Sequence, residues 1–504
     1  MGARRSQRSF AARAAFPRRR WLVVAALLSG TLSSAGCVLG PDYVRPTVQV
    51  PAAYRHQPTH PQVEPAELAA VPAWWRAFGD DQLDALVAEA LHANRELGIA
   101  TARVDEFAAR VAATRAQALP VLGYGAAAGR QRTPGVGTSG NYAGLLSASW
   151  ELDLWGRLRR EQEAARAELM ASDQARVGVA MSLVSAVVSG YITLLDLDRR
   201  LEIARSTLAG RGESVKLFQL RLEGGALSEF EMMQVSAEYE SAAAAIPDLE
   251  LARAVQESAL SVLVGRNPGP IARGATLQTL RAPVVPVGLP SELLTRRPDL
   301  LQSEQQLVAA NARVGVARAL YFPSLSLTGQ GGSASADLDD LFTGPARTWS
   351  FVGQLLGPIF AGGAIDAANL QAQARNQQAL LAYQLAIQNA FRDVEDALAA
   401  VRAKTELVAA LERRVSALQR AVALASERYD NGYADYLELL DTERGLFSAE
   451  LALSTARGDR HRATVGLFQA LGGDWQLSIP GLPVAARPPL PAALPRTPVA
   501  GGVP

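Results

Sequence analysis

The chain has 504 residues, 49% of them hydrophobic, with 50 basic and 49 acidic side chains. Seven arginines and no acid fall in residues 1–36, so the remainder carries 43 basic and 49 acidic groups, which argues against a nucleic-acid partner because phosphates select a basic face. A single cysteine, Cys37, excludes an internal disulfide or a cysteine-rich metal site. Four scattered histidines, and the lack of any phosphate-loop, HExxH or GxSxG pattern, leave no basis for an enzyme, a metal or a bound cofactor.

Residues 1–36 read as a signal peptide. Arginines precede an apolar run over 21–32, well short of the ~20 residues that span a bilayer. Ser34-Ala35-Gly36 directly before Cys37 resembles a bacterial lipobox, and that resemblance implies cleavage there and a covalent lipid on Cys37. Val38 follows instead of aspartate, so the inner-membrane retention signal of such lipoproteins is missing. An incidental cysteine closing an ordinary signal peptide is the alternative. Residues 37–72 hold seven prolines and little periodicity, which predicts an extended arm.

From 73 onward the chain states one plan twice. Residues 73–281 give a helix from Asp80 or Asp81 to about Ala118, ended by Pro120, then two strand-like stretches around a Gly/Thr/Ser-rich loop. In the second stretch Leu146, Ala148, Trp150, Leu152 and Leu154 alternate with Ser147, Ser149, Glu151 and Asp153. That pattern suits a membrane β-strand and equally a half-buried strand of a soluble sheet. A proline-free helical pattern then runs to Arg221; at 1.5 Å per residue its roughly 64 residues would reach ~96 Å, so it needs partners along its whole length. It turns, and a returning helix, with a kink expected at Pro247, ends at Val264-Gly265. Residues 282–475 repeat this: a helix from Ser291 to about Leu320, strands around Leu325 and over 349–360, and a helix over 364–428. That last helix carries a coiled-coil seam through Val408, Leu411, Val415, Leu418 and Val422. A tip and a final helix to Leu471-Gly472 follow, and residues 476–504 read as a Pro-rich, disordered tail.

The two turns are the clearest repeat. RLEGGALSEFEMMQ at 221–234 returns 207 positions later as RYDNGYADYLELLD at 428–441. In each, a helix stops at a glycine (Gly225, Gly432) suited to the left-handed C′ position. The chain restarts on a capping box, Ser228 with Glu231 and Asp435 with Glu438. Four strands cannot close a barrel, and open edges are not tolerated in hydrocarbon. Either the strands form a soluble sheet, making the chain a periplasmic coiled-coil spacer, or several chains pool them. Two copies give eight strands with an interior filled by side chains and three give twelve.

Longer motifs give a specific resemblance. GPDYVRP at 40–46, AWWRAFGDDQLDALVAEAL at 73–91, RRPDLLQSEQQLVAANARVGVARALYFPSLSLTG at 296–329, PIFAGG at 358–363 and the stretch from 428 to 453 resemble the TolC/OprM/NodT family of outer-membrane efflux channels across nearly all of the mature chain. The resemblance implies a mainly α, two-repeat TolC-like fold: a long coiled-coil tunnel, and four strands per chain pooled into the 12-stranded membrane β-barrel of a homotrimer. It implies a passive exit duct for small molecules, working with a periplasmic adaptor and an inner-membrane pump of RND type. A protein-export duct served by an ABC-type partner is the alternative within the family. Asp441 matches a position whose carboxylates ring the narrowest part of the tunnel; a solvated aspartate paired with Arg444 is the plain alternative. Glu438 matches an acidic gate position that its capping role also explains, and Tyr429 matches an aromatic of the closed state. A basic partner found in some members falls at Ala434, so that ion pair is absent here. Arg221, Leu222, Gly225, Arg428 and Gly432 match the tips that abut the adaptor, although the glycines are needed to end the helices in any case.

Overall fold

The structure is a computed structural model that describes residues 38–56, 73–135, 137–281, 283, 285 and 290–473. The signal peptide, Cys37 and the C-terminal tail lie outside the described residues. The described helices and strands are α1 (Asp81–Ala93), α2 (Arg95–Gln117), β1 (Val121–Thr133), β2 (Gly137–Leu152), α3 (Arg157–Glu223), α4 (Glu229–Leu263), α5 (Leu293–Arg296), α6 (Pro298–Ala319), β3 (Ser324–Ser335), β4 (Arg347–Leu356), α7 (Ala364–Asp430) and α8 (Tyr436–Ala470). Contacts group them into two compact units, each drawn from both halves of the sequence.

The first unit takes in Thr114–Glu163 and Ala312–Ala372, and its centre is one antiparallel sheet in the order β1-β2-β3-β4. Its register sorts the side chains. Leu122 pairs with Ala148 and Tyr124 with Leu146; Leu146 faces Gly331, and Gly331 faces Trp349. Since side chains alternate along a strand, Leu122, Tyr124, Leu146, Trp150, Leu327, Trp349, Phe351 and Leu355 share one face. Ser147, Glu151, Gln330, Thr328, Ser350 and Gln354 share the other. The apolar face is bare: Tyr124 is 89% exposed, Trp349 82% and Leu122 81%. Within one chain β1 and β4 each have a free edge. β4 ends at Leu356, before Gly357-Pro358, and not at Phe360 as the apolar run suggested; β3 in turn reaches Ser335, into the expected loop. Val38 packs on Gly156, where a Cβ would lie 3.0 Å from the Val38 Cα, and the Leu39 N–H donates to the Trp155 carbonyl at 3.1 Å. Asp42 pairs with Arg160 at 2.7 Å.

The second unit holds most of the helical residues. Its largest core gathers Trp74, Phe78, Leu83 and Val87 around Val184, Val188, Tyr191 and Leu195 of α3, and Trp74 stacks on Phe468 at 4.8 Å. Asp80 starts α1, accepting from the Gln82 and Leu83 N–H groups, and also takes the Tyr191 hydroxyl at 2.7 Å. The expected single helix over 80–118 is two. Asn94 turns extended, its side chain accepts from the Leu97 N–H at 3.0 Å and donates to the Leu263 carbonyl at 2.9 Å, so it ends α1 and starts α2. The helix expected from Ser291 is also broken, because the residue before a proline is pushed out of the helical region; Arg297 is extended and α6 starts on Pro298. Pro247 sits inside α4, which continues through it. The coiled-coil seam packs as a layer: Val408 and Val415 of α7, with Leu411 and Leu418, against Ala449, Leu453 and Ala456 of α8. The arm is held down in this unit. Tyr43 and Arg45 both reach Glu304, Tyr54 is buried among Leu293, Leu300 and Leu307, and the Arg55 N–H donates to Glu395 at 2.8 Å.

Candidate functional site

Both tips are built by the same hydrogen bonds 207 residues apart. Gly225, at φ +70°, sends its N–H to the Leu222 carbonyl, and the next N–H, of Ala226, goes to Arg221. Gly432, at φ +76°, donates to Tyr429, and Tyr433 donates to Arg428. This pair of bonds satisfies carbonyls left over at a helix end, and only a residue at ease with positive φ allows it. The restarts then differ. At the first tip the capping box is complete: Ser228 accepts from the Glu231 N–H at 3.3 Å and Glu231 accepts from the Ser228 N–H at 3.0 Å. That bonding holds the Glu231 carboxyl below its ordinary range. At the second, Asp435 accepts from the Glu438 N–H at 3.1 Å, but the Glu438 carboxylate lies 3.4 Å from Arg428 instead of returning to the cap.

The two tips share one small core. Phe218, Met232 and Val235 from the first pack with Ala425, Tyr436, Leu439 and Leu440 from the second. Phe218 and Tyr436 lie 4.2 Å apart, and Tyr429 and Tyr436 5.6 Å. The Arg221 guanidinium sits over the Tyr429 ring at 5.4 Å and over Phe218 at 5.7 Å, and it donates to the Tyr429 hydroxyl. Tyr429 therefore does have a basic partner. It comes from the opposite tip, where the sequence comparison at Ala434 offered none.

Further along the same helices lies a charge cluster that sequence reading missed. Arg211 of α3 pairs with Glu238 of α4 at 3.0 Å, both side chains nearly buried, and Arg444 of α8 reaches Glu238 at 2.6 Å. Arg211 also sits 5.4 Å from the Phe447 ring. Burial pushes the Glu443 carboxyl up, against the pull of Arg211 and with the push of Glu238. Tyr436 is pushed up to about 12, chiefly by burial and next by Glu443. Arg211, Glu238 and Arg444 sit on three different helices, so spacing along the chain carries no trace of their pairing.

Asp441 is exposed and has no ion pair among the described residues; Arg444, its supposed helical partner, is taken by Glu238. Gly225, Arg428 and Gly432 are exposed, Arg221 and Leu222 partly buried, and beside them Phe230 (70% exposed), Met233, Tyr433 and Leu437 present apolar surface to solvent.

Long helices joined by two such tips, together with a four-stranded antiparallel sheet, define a TolC-like outer-membrane channel. The chain belongs to the outer membrane efflux protein family, whose pattern it matches over residues 86–266 and 289–473. It is 34% identical to the cation efflux system protein CusC of Escherichia coli K12 over 446 residues, covering 88% of this chain and 97% of CusC. Against the toluene efflux pump outer membrane protein TtgC of Pseudomonas putida it is 35% identical over 450 residues, covering 87% and 93%. The open-state crystal structure of the MtrE outer membrane channel of Neisseria gonorrhoeae superposes with a TM-score of 0.81 at 32% identity, over 87% of this chain and 99% of that one. The protein is thus a non-enzymatic outer-membrane channel of an efflux system, with a periplasmic helical extension.

Proposed function

We propose that three copies of this chain, each two repeats (73–281 and 282–475), pool their strands into a twelve-stranded barrel. The resulting duct conducts small molecules passively from a periplasmic adaptor and an inner-membrane pump of RND type. The observation that carries this is the sheet: an apolar face and a polar face, both exposed, between two free edges. A soluble spacer would have to leave Tyr124, Leu122, Trp349 and Phe351 in water, whereas a ring of copies closes every edge and turns that face to lipid. The relatives are named for cations and toluene, so the cargo is a small solute or ion selected by the pump.

In this reading Cys37 carries the lipid, and Val38 sends the anchor to the outer membrane. The residues from Val38 to His56, held at Gly156, Arg160, Glu304 and Glu395, tie the anchor to the body. The tips form the periplasmic mouth. Asp441, one per copy, supplies a ring of unpaired carboxylates; Glu438 and Tyr429 stand behind it. Arg221, Leu222, Gly225, Arg428 and Gly432 face the adaptor, with Phe230 and Met233 as added apolar contact. Three like charges around one axis favour bound cations. In planar bilayers the purified protein is expected to form cation-blocked pores and to migrate as a heat-modifiable trimer. Asp441→Ala is expected to raise conductance and relieve block by multivalent cations. A monomer that stays soluble without detergent and forms no pores would refute the duct, and a pore indifferent to Asp441→Ala would refute the ring.

A further inference from the structure

The strands carry a second pattern that conduction does not use. Following the apolar face of β1 away from the helices leads from Leu122 and Tyr124 through Ala126 and Ala128 to Arg130 and Arg132. On β4 the same face runs from Leu355 through Phe351 and Trp349 to Arg347, the first residue of the strand. The register confirms that these positions share a face: Arg347 pairs with Ser333, which also faces Gly144, and Gly144 pairs with Ala126. All three arginines are exposed, and none has an ion pair among the described residues. β1 enters from α2 at Val121 and β4 leaves towards α7 after Leu356, so the arginines stand at the strand ends remote from the helices. With the helices periplasmic, that end is the exterior one. The strands hold one carboxylate, Glu151, on the opposite face; Asp337, Asp339 and Asp340 lie beyond the end of β3, in the loop.

Arginine on a lipid-facing strand surface is costly at the bilayer midplane and nearly free of that cost at the interface. Confinement to the outer ends therefore makes these residues tolerable. Charge complementarity makes them useful, since a guanidinium pairs with phosphate through two parallel hydrogen bonds. Arginines that served solubility alone would have no reason to share the face of Trp349 and Phe351.

We propose that Arg130, Arg132 and Arg347 form an outward-facing basic rim that binds the phosphate groups of lipid headgroups in the outer leaflet. The proposal rests on the channel reading, because a ring of copies sets the Arg347 edge of one chain beside the Arg130 and Arg132 edge of another.

The test titrates the purified full-length protein in nanodiscs with bisphosphorylated lipid A and with its fully dephosphorylated form. The wild type is expected to bind the phosphorylated lipid at least roughly tenfold tighter, as basic groups near an anionic surface do, with the preference falling as salt rises. R130Q/R132Q/R347Q is expected to abolish that preference. A wild type that does not discriminate, or a preference that survives in the triple variant, would overturn the rim. If the triple variant fails to assemble, R347Q alone is expected to weaken the preference severalfold, and an unchanged preference there would overturn the rim just as well. Conductance in uncharged planar bilayers separates the two readings: absence of pores from the wild type refutes the channel, whereas pores without lipid discrimination refute the rim alone.

Discussion

The first and second tips have the same backbone and opposite surroundings. Each ends its helix on a positive-φ glycine and restarts on a side-chain cap. At equivalent positions, however, the second tip buries Leu440 where the first leaves Met233 56% exposed, and buries Tyr436 where the first has the exposed Glu229. The acids also differ: Asp441 stands where the first repeat has Gln234, and Glu443 where it has Ser236. The first tip thus leaves Phe230 and Met233 exposed and is held by a self-contained cap. The second is tied inward by aromatic packing and keeps its loose charge facing out. A repeat can keep its turn chemistry while the two copies diverge in packing and in charge.

The strongest way to break this pairing of tips is Glu238→Ala. It leaves Arg211, nearly buried, without its carboxylate and frees Arg444. Removing one partner of a buried pair costs about 3–5 kcal/mol. Hydrogen exchange is expected to show both tips losing protection together, although Glu238 lies on the first hairpin only. Loss confined to α4 would mean that the cluster does not join them.

Next comes the contact between Arg221 and Tyr429. A double-mutant cycle over Arg221→Ala and Tyr429→Phe is expected to give a coupling of about 1–2 kcal/mol, from one charged hydrogen bond at a half-exposed site. Each single variant is expected to raise conductance. Additive effects would place the two residues in separate roles.

These two tests fall on what the chain does not spell out. The glycines and the caps of Ser228 and Asp435 were legible because each is local, with donor and acceptor within five residues. The 207-residue offset was legible because both turns carry that local pattern, whereas the return bond expected of Glu438 goes to Arg428 instead. The seam through Val408 and Val415 was legible for the same reason, as one face of one helix. Arg211, Glu238 and Arg444 were not, since their contacts exist only once three helices pack. The break at Asn94 left one local sign, an asparagine that caps the Leu97 N–H three residues on, but the bond that anchors it goes to Leu263, 169 residues away. On the sheet, alternation in β2 announced an apolar face, but only the register of all four strands showed that the faces coincide.

A smaller effect sharpens the contrast between the caps. Ser228→Ala is expected to cost the first tip about 1 kcal/mol, because it removes the acceptor that completes the box. Glu438→Ala is expected to cost the second well under about 1 kcal/mol, because its carboxylate pairs with Arg428 in the open. Local exchange rates on α4 and α8 measure both. Equal losses would show that Glu438 acts as a cap after all.

The finest distinction is in pH. Glu443 is buried beside Arg211 of α3 and Glu238 of α4, and its carboxyl titrates above the ordinary value of 4.5. Between 4.5 and that raised value the folded tip holds a proton that the unfolded chain has released, so stability falls as pH rises through the window. The stabilising contribution is complete below pH 4.5 and lost above the folded value. Glu443→Gln keeps the shape without the charge, so it is expected to protect α8 better than the wild type at neutral pH and equally at about pH 4. The first tip, with Ser236 at the equivalent place, is expected to show no such dependence of its own. If acid loosens the wild-type second tip over this window, Arg211 stabilises the ionised Glu443 by more than burial penalises it, and the second tip is held by charge where the packing of Tyr436 and Leu440 had been assigned that work.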